Sequence, residues 1–167
     1  MTHQLAVLIS GSGTNLQAIM DAQKAGTLDA EIAVVFSNRA NAAGLERAAQ
    51  AGIPTASLDH RDYPDREQFD QAMIEVLTPY APDTVVLAGF MRILTAGFVA
   101  RWHDRLINVH PSLLPAYRGL DTHARVLADG ARFTGCTVHF VRAEMDAGPI
   151  IVRAAVPVHP GDDAERL

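Results

Sequence analysis

The sequence holds a single cysteine, Cys136, among its 167 residues. One thiol excludes an internal disulfide framework and any multi-thiolate zinc site. Basic residues are few and dispersed: fourteen Lys and Arg against nineteen Asp and Glu leave a net charge of -5, with no basic run. Composition therefore argues against nucleic acid as a partner. Long apolar runs are missing as well. Met1-Thr2-His3-Gln4 leads straight into Leu5–Ile9, with no cationic n-region, no cleavage pattern and too few apolar residues to span a bilayer. These features predict a cytoplasmic protein with no membrane partner. No Pro/Ser linker, repeat or low-complexity tract divides the chain, so one domain over residues 1–167 is expected. A domain of this size buries roughly 70% of the surface that its unfolded chain exposes, enough for a core without staples.

Two families of catalytic pattern are also missing. No His-x-x-x-His or His-Glu-x-x-His occurs, and His110 and His123 lie thirteen apart, so a metal site is not expected. No Gly-x-Ser-x-Gly elbow is present, which argues against a serine hydrolase of that type.

What the chain does contain is alternation. Short runs rich in Val, Ile and Leu, at Leu5–Ile9, Glu31–Phe36, Thr55–Leu58, Thr84–Ala88, Leu106–Val109, Thr137–Val141 and Ile150–Val156, are separated by helical patterns. Leu16, Ile19 and Met20 share one helical face, and so do Phe69, Met73, Val76 and Leu77, with Pro79 and Pro82 ending that second helix. The pattern predicts an α/β fold with parallel strands covered by helices on both faces. Only Arg142–Pro149 separates the last two runs. That is too short for a parallel crossover, so an antiparallel hairpin is expected there.

Three segments can carry chemistry. Ser10-Gly11-Ser12-Gly13-Thr14-Asn15 follows the first strand and opens the first helix. Its glycines permit close backbone approach, and a helix N-terminus offers free N–H groups to an anion such as phosphate. It matches neither a Walker A loop, since no Lys follows, nor a dinucleotide fingerprint, since Leu16 stands at the third glycine position. A Gly-rich turn with an Asn or Thr cap is the alternative reading.

The second segment is Asn108-Val109-His110-Pro111, where strand period two turns Asn108 and His110 to one side. An amide donor beside an imidazole suits a carbonyl oxygen that acquires negative charge. A satisfied Asn and His at a strand end is the plainer alternative. The third is Glu144-Met145-Asp146-Ala147-Gly148-Pro149 in the expected hairpin loop. Asp146 is an ordinary turn carboxylate unless the loop folds back over the fifth strand, where it would favour the cationic form of His110. His139, in register with Thr137 and Val141, lines a site or packs; Cys136 reads as a small buried strand residue.

Taken together, Ile9–Ile19, Val35–Arg39, Leu87–Leu94, Ile107–Pro115 and Val138–Phe140 with Asp146–Pro149 closely resemble the phosphoribosylglycinamide formyltransferases, a family of folate-dependent formyltransferases. The resemblance covers essentially the whole chain, with the motifs in family order and spacing. It implies a Rossmann-like three-layer α/β/α fold, mostly parallel with a late antiparallel strand. It further implies formyl transfer from 10-formyltetrahydrofolate, as co-substrate, to the amine of glycinamide ribonucleotide in purine biosynthesis, with no metal.

By the same resemblance Asn108, His110 and Asp146 are the catalytic set, and Gly13, Thr14 and Asn15 hold the ribonucleotide phosphate. Arg66, Met91, Arg92, Ile93 and Leu94 match the folate side. So do Asn108, Arg142, Ala143, Glu144, Met145 and Asp146. Formyltetrahydrofolate hydrolases and methionyl-tRNA formyltransferases share the Asn-x-His and Asp residues. The Gly-Ser-Gly-Thr-Asn loop and the His-Pro-Ser-Leu-Leu-Pro segment resemble the glycinamide enzymes more. A noncatalytic nucleotide-binding module would need the loop but not the other three residues together. The partners implied are small molecules; the resemblance leaves a homodimer open. By the resemblance, the family also continues into a C-terminal helix and further strand-like segments, which include an acidic residue that helps bind the ribonucleotide. A domain that runs on past Gly161–Leu167 is therefore expected, with Asp162 or Asp163 capping a helix just begun.

Overall fold

Runs rich in β-branched residues become strands where glycine, proline or polar residues bound them on both sides. A computed structural model describes residues Met1–Leu167, which fall into two units, Met1–Leu106 and Ile107–Leu167. The first unit alternates strand and helix: β1 (His3–Ile9), α1 (Thr14–Lys24), β2 (Ala30–Ser37), α2 (Ala43–Gln50), β3 (Thr55–Ser57), α3 (Arg66–Leu77), β4 (Thr84–Leu87) and α4 (Ala96–Arg101). All its strand pairs are parallel: β1 lies between β2 and β4, and β2 also pairs with β3.

Ala6, Val7, Leu8 and Ile9 of β1 are 0% exposed, as a central parallel strand packed on both faces requires. The chain winds outward to β2 and β3 on one side of β1 and to β4 on the other. The C-terminal end of β1 is therefore a topological switch point, the place where open α/β sheets gather ligands.

Helix α3 starts where the Asp65 carboxylate accepts the Gln68 N–H at 2.8 Å, and it buries Phe69, Met73 and Leu77 at the expected spacing. Val76 is only half-buried, and Asp70 enters the core instead. The reason is a capping contact from a neighbouring element: Asp70 Oδ2 accepts the N–H and the hydroxyl of Thr95, both at 2.7 Å, at the start of α4. Helix α3 ends at Leu77, and Pro79 sits in the short 3-10 turn that follows.

The second unit holds β5 (Leu106–His110) from its second residue on, α5 (Thr122–Ala128), β6 (Phe133–Phe140) and β7 (Ile150–Pro157). Strand β6 is antiparallel to both β5 and β7, so the expected hairpin is present and β6 is the late antiparallel strand. It begins at Phe133 rather than Thr137 because Thr134 and Gly135 pair with Val156 and Ala155. Gly135 hides this extension from the sequence pattern: a Cβ there would run into the Ala154 carbonyl, so close backbone approach demands the residue that weakens a strand signal. Cys136 is half-exposed, not buried, because it faces Ala154 of the solvent-exposed β7. Asp163 Oδ1 accepts the Arg166 N–H at 2.9 Å, the bond of a helix cap, within a turn. No helix is long and apolar enough to cross a membrane.

Asp70 supplies the first test. Asp70→Ala leaves the Thr95 donors without their buried acceptor, and we expect it to lower unfolding free energy by about 2 kcal/mol in urea titrations. Asp70→Asn retains an acceptor oxygen and should lose less; equal loss in the two variants would refute the capping role.

Candidate active site

The chemistry-bearing residues form two clusters, one within each unit. In the second unit, the β5–β6 register sets Asn108 opposite His139 and His110 opposite Thr137, so strand period two gathers all four on one face. His110 is 5% exposed, and its Nε2 donates to the Tyr117 carbonyl at 2.9 Å. A carbonyl only accepts, so Nε2 carries a hydrogen in both charge states and Nδ1 is the nitrogen that exchanges a proton. That Nδ1 stands 3.5 Å from Asp146 Oδ1.

His139, 2% exposed, obeys the same logic in mirror image. Its Nδ1 donates to the Phe140 carbonyl at 3.0 Å, which leaves Nε2 to accept the Asn108 amide at 3.2 Å. This bond fixes which end of Asn108 is nitrogen, and one amide hydrogen remains for a ligand. The same Nε2 lies 3.8 Å from Asp146 Oδ1. The sequence reading left His139 between lining and packing; its signal was its place across from Asn108, invisible until the strands are paired.

Asp146 reaches this cluster because the β6–β7 loop folds back tightly. Gly148 makes the fold possible, since a Cβ there would collide with the Phe140 carbonyl. Asp146 itself has φ 52°, a left-handed conformation that Asp tolerates better than most residues. Its Oδ2 accepts the Gly119 N–H at 2.8 Å. The 112–119 segment is held in turn by Ser112, whose hydroxyl donates to the Ala116 carbonyl at 2.6 Å, and by Thr137, whose hydroxyl donates to the Ser112 carbonyl at 2.7 Å. Burial raises the Tyr117 phenol above its ordinary pKa, and a hydrogen bond with Asp129 adds to the rise.

The remaining loop residues stay outside the histidine cluster. Arg142 stacks on Phe140 at 5.7 Å, Glu144 meets Arg118 at 3.4 Å, and Ala143 and Met145 are exposed. No group of three or more His, Cys, Asp or Glu is arranged to hold a metal ion.

In the first unit, residues 10–15 line a cavity of about 220 Å³ together with Arg39, Gly89 and Met91. Gly13 occupies the N-cap of α1 with φ 74° and no side-chain cap, so the Asn or Thr cap of the alternative reading is not formed. Thr14 and Asn15 open the helix with their N–H groups unused by the backbone, a donor-rich anion receptor. Beneath the loop, the buried Ser10 hydroxyl donates to Asn38 Oδ1 at 2.5 Å and accepts the Met91 N–H at 2.8 Å. Arg39, which lies outside the site residues expected from sequence, is the cation among the lining residues; its position just past β2, beside the switch point, is the available signal.

Met91 and Ile93 are 63% and 59% exposed, Leu94 is half-buried, and Arg92 stacks over Phe69 at 5.1 Å. Arg66 is exposed at the first residue of α3 and does not line this cavity.

The family model for formyl transferases matches residues 3–167. Phosphoribosylglycinamide formyltransferase of Escherichia coli (strain K12) is 52% identical over 163 residues, covering 98% of this chain and 77% of that protein. The trifunctional purine biosynthetic protein adenosine-3 of Gallus gallus is 51% identical over 164 residues, and the chain spans 16% of its length. Among solved structures, glycinamide ribonucleotide transformylase 1 from Symbiobacterium toebii superposes with a TM-score of 0.96 at 48% identity, over 99% of this chain and 78% of that one. The fold is thus the Rossmann-like α/β formyltransferase fold that the sequence predicts, and with the family match running through both units, the chain belongs to the formyl transferase family.

Proposed function

We propose that the protein transfers the formyl group of 10-formyltetrahydrofolate to the amine of glycinamide ribonucleotide in purine biosynthesis, with residues 1–167 acting as one formyltransferase domain. The observation that carries this reading is the quartet of half-buried Asn108 and Asp146 with buried His110 and His139, linked by contacts of 3.2 to 3.8 Å, in a chain of this family.

The substrate amine attacks the formyl carbon, and the carbonyl electron pair moves onto oxygen. Asn108 offers the developing oxyanion its remaining amide hydrogen. His110, protonated at Nδ1 and paired with Asp146, places positive charge beside it. Collapse of the adduct expels the folate N10, which takes a proton, while the attacking nitrogen gives one up; His110 Nδ1 and Asp146 are the groups in this cluster able to relay it.

The cavity at residues 10–15 suits the ribonucleotide phosphate, with backbone donors and Arg39 at its wall. Exposed Met91 and Ile93, with Leu94, suit a flat pterin that needs apolar cover. Arg66 and Arg92 suit the anionic glutamyl tail, and Asn108 and Arg142–Asp146 complete the folate contacts.

An assay of 10-formyltetrahydrofolate turnover with and without glycinamide ribonucleotide tests the reading. Turnover that depends on the ribonucleotide and yields formylated product is expected; formate release without it would indicate a hydrolase. His110→Ala and Asp146→Asn should each lower kcat by about 100-fold or more, and the double variant by far less than the product of the two losses. Near-native kcat in either single variant overturns the catalytic assignment.

His139 separates by variant. Gln can place an acceptor where Nε2 stands, whereas Leu cannot, so His139→Gln should retain much of kcat and His139→Leu should lose about tenfold or more. Equal kcat in both would show that the Asn108 bond is dispensable. Gly13→Val should weaken ribonucleotide binding far more than folate binding in calorimetry, since a Cβ at Gly13 would lie 2.7 Å from Gly44 Cα.

A further inference from the structure

The loop at residues 10–15 can receive an anion only if its carbonyl oxygens are turned away from the cavity. A flexible glycine-rich turn carries as many acceptors as donors, and carbonyls facing a phosphate would repel it. Two of the loop's carbonyls are already engaged, both by α2. The Gly44 N–H donates to the Gly11 carbonyl at 3.0 Å, and Arg47 Nε donates to the Ser12 carbonyl at 2.8 Å.

The backbones approach closely enough to make this contact rigid. Gly44 is buried, and a Cβ there would collide with Ile9 Cδ1 and lie 3.1 Å from Gly13 Cα and 3.3 Å from the Gly11 carbonyl. The reverse substitution at Gly13 meets Gly44 Cα. Each glycine is thus required by the other. Arg47 Nη1 also reaches Gln17 Oε1 of α1 at 3.3 Å, so a single guanidinium ties α2 to the loop and to the helix that the loop opens. Gln17 in turn gives its N–H to the Gly13 carbonyl at 2.8 Å, which consumes a third acceptor.

We infer that Arg47, with Gly44, is a positioning residue for anion recognition: α2 holds the Gly11 and Ser12 carbonyls so that these two acceptors do not face the anion. Arg47 acts from behind the loop, through Ser12, and does not touch the ligand. Arg39 has the opposite arrangement, a cation that lines the cavity itself. The inference deepens the proposed function and rests on its assignment of this loop to the ribonucleotide phosphate.

The test is calorimetric binding of glycinamide ribonucleotide, inorganic phosphate and a folate analogue to the full chain and to Arg47→Gln, Arg47→Lys, Gln17→Ala and Gly13→Val. We expect Arg47→Gln to weaken ribonucleotide and phosphate alike by about tenfold, the loss typical of one charge-assisted hydrogen bond, with folate affinity unchanged. Arg47→Lys keeps the charge but lacks the Nε–H aimed at Ser12, and should lose a similar factor. Gln17→Ala should stay near the parent, because Nη1 makes the longer, secondary contact.

Parent-like affinity in both Arg47 variants overturns the inference. So does full affinity in Arg47→Lys with loss in Arg47→Gln, which would make the charge, and not the carbonyl bond, the operative feature. Equal loss for folate would reduce Arg47 to a structural residue and also overturn it. If Arg47→Gln fails to fold by circular dichroism, Arg47→Lys carries the test. Should the parent chain and Gly13→Val bind ribonucleotide alike, or the parent not bind it, the loop assignment itself fails. Loss in Gly13→Val with retention in the Arg47 variants leaves that assignment intact and removes only the role of α2.

Discussion

A carboxylate with only 10% of its side-chain surface exposed must be compensated, and in this protein Asp146 is compensated by groups of the cluster proposed above as catalytic. Stripping water from an ion costs several kcal/mol unless hydrogen bonds and opposite charge replace it. The Gly119 N–H takes one oxygen, and His110 Nδ1 stands 3.5 Å from the other. The arrangement orients the nearby nitrogen donors. His110 must spend Nε2–H on the Tyr117 carbonyl, His139 must spend Nδ1–H on that of Phe140, and Asn108 must point its nitrogen at His139. Orientation thus follows from donor and acceptor counting.

The first unit solves a related problem where its strands end. Where parallel strands end, backbone donors and acceptors lose their ladder partners, and side chains or loops must take them up. Ser10 does so between β2 and the segment after β4, as donor to Asn38 and acceptor from Met91. The adjoining loop has its Gly11, Ser12 and Gly13 carbonyls occupied by α2 and Gln17. What remains outward is a surplus of N–H groups at the N-terminus of α1, favourable to negative charge. The clusters are complementary in kind: one prepares a proton-exchanging imidazole beside an amide donor, the other a receptor for a charged group.

That division matches how formyl transfer distributes its demands. Electrostatic stabilisation acts at the carbon undergoing attack, where charge appears only in the transition state. In the proposed reaction, binding energy from the ribonucleotide phosphate would hold the amine in position, which lowers the entropic part of the barrier. Neither task needs a residue outside the ordinary side-chain inventory. What each needs is rigidity, supplied by glycine contacts at Gly13 with Gly44 and at Gly148 with the Phe140 carbonyl.

Much of this was legible in the sequence, for physical reasons that act locally. Apolar runs determined the strands, the central ones because burial on two faces requires them; the short Arg142–Pro149 connection determined an antiparallel hairpin, because no crossover helix fits. Asn108 and His110 share a face by strand period alone. The Gly-rich loop announced itself by its place between strand and helix. Pairing across distance was not legible. The extension of β6 through Gly135, the burial of Asp70 under Thr95, the bond from His139 to Asn108 and the approach of Asp146 to His110 each join residues whose separation in sequence carries no signal. Periodicity reports which way a side chain points from its own backbone, and it says nothing about which partner the register brings opposite. Only the folded chain decides that, because a buried polar atom takes whatever donor or acceptor the tertiary structure delivers within three ångströms or so.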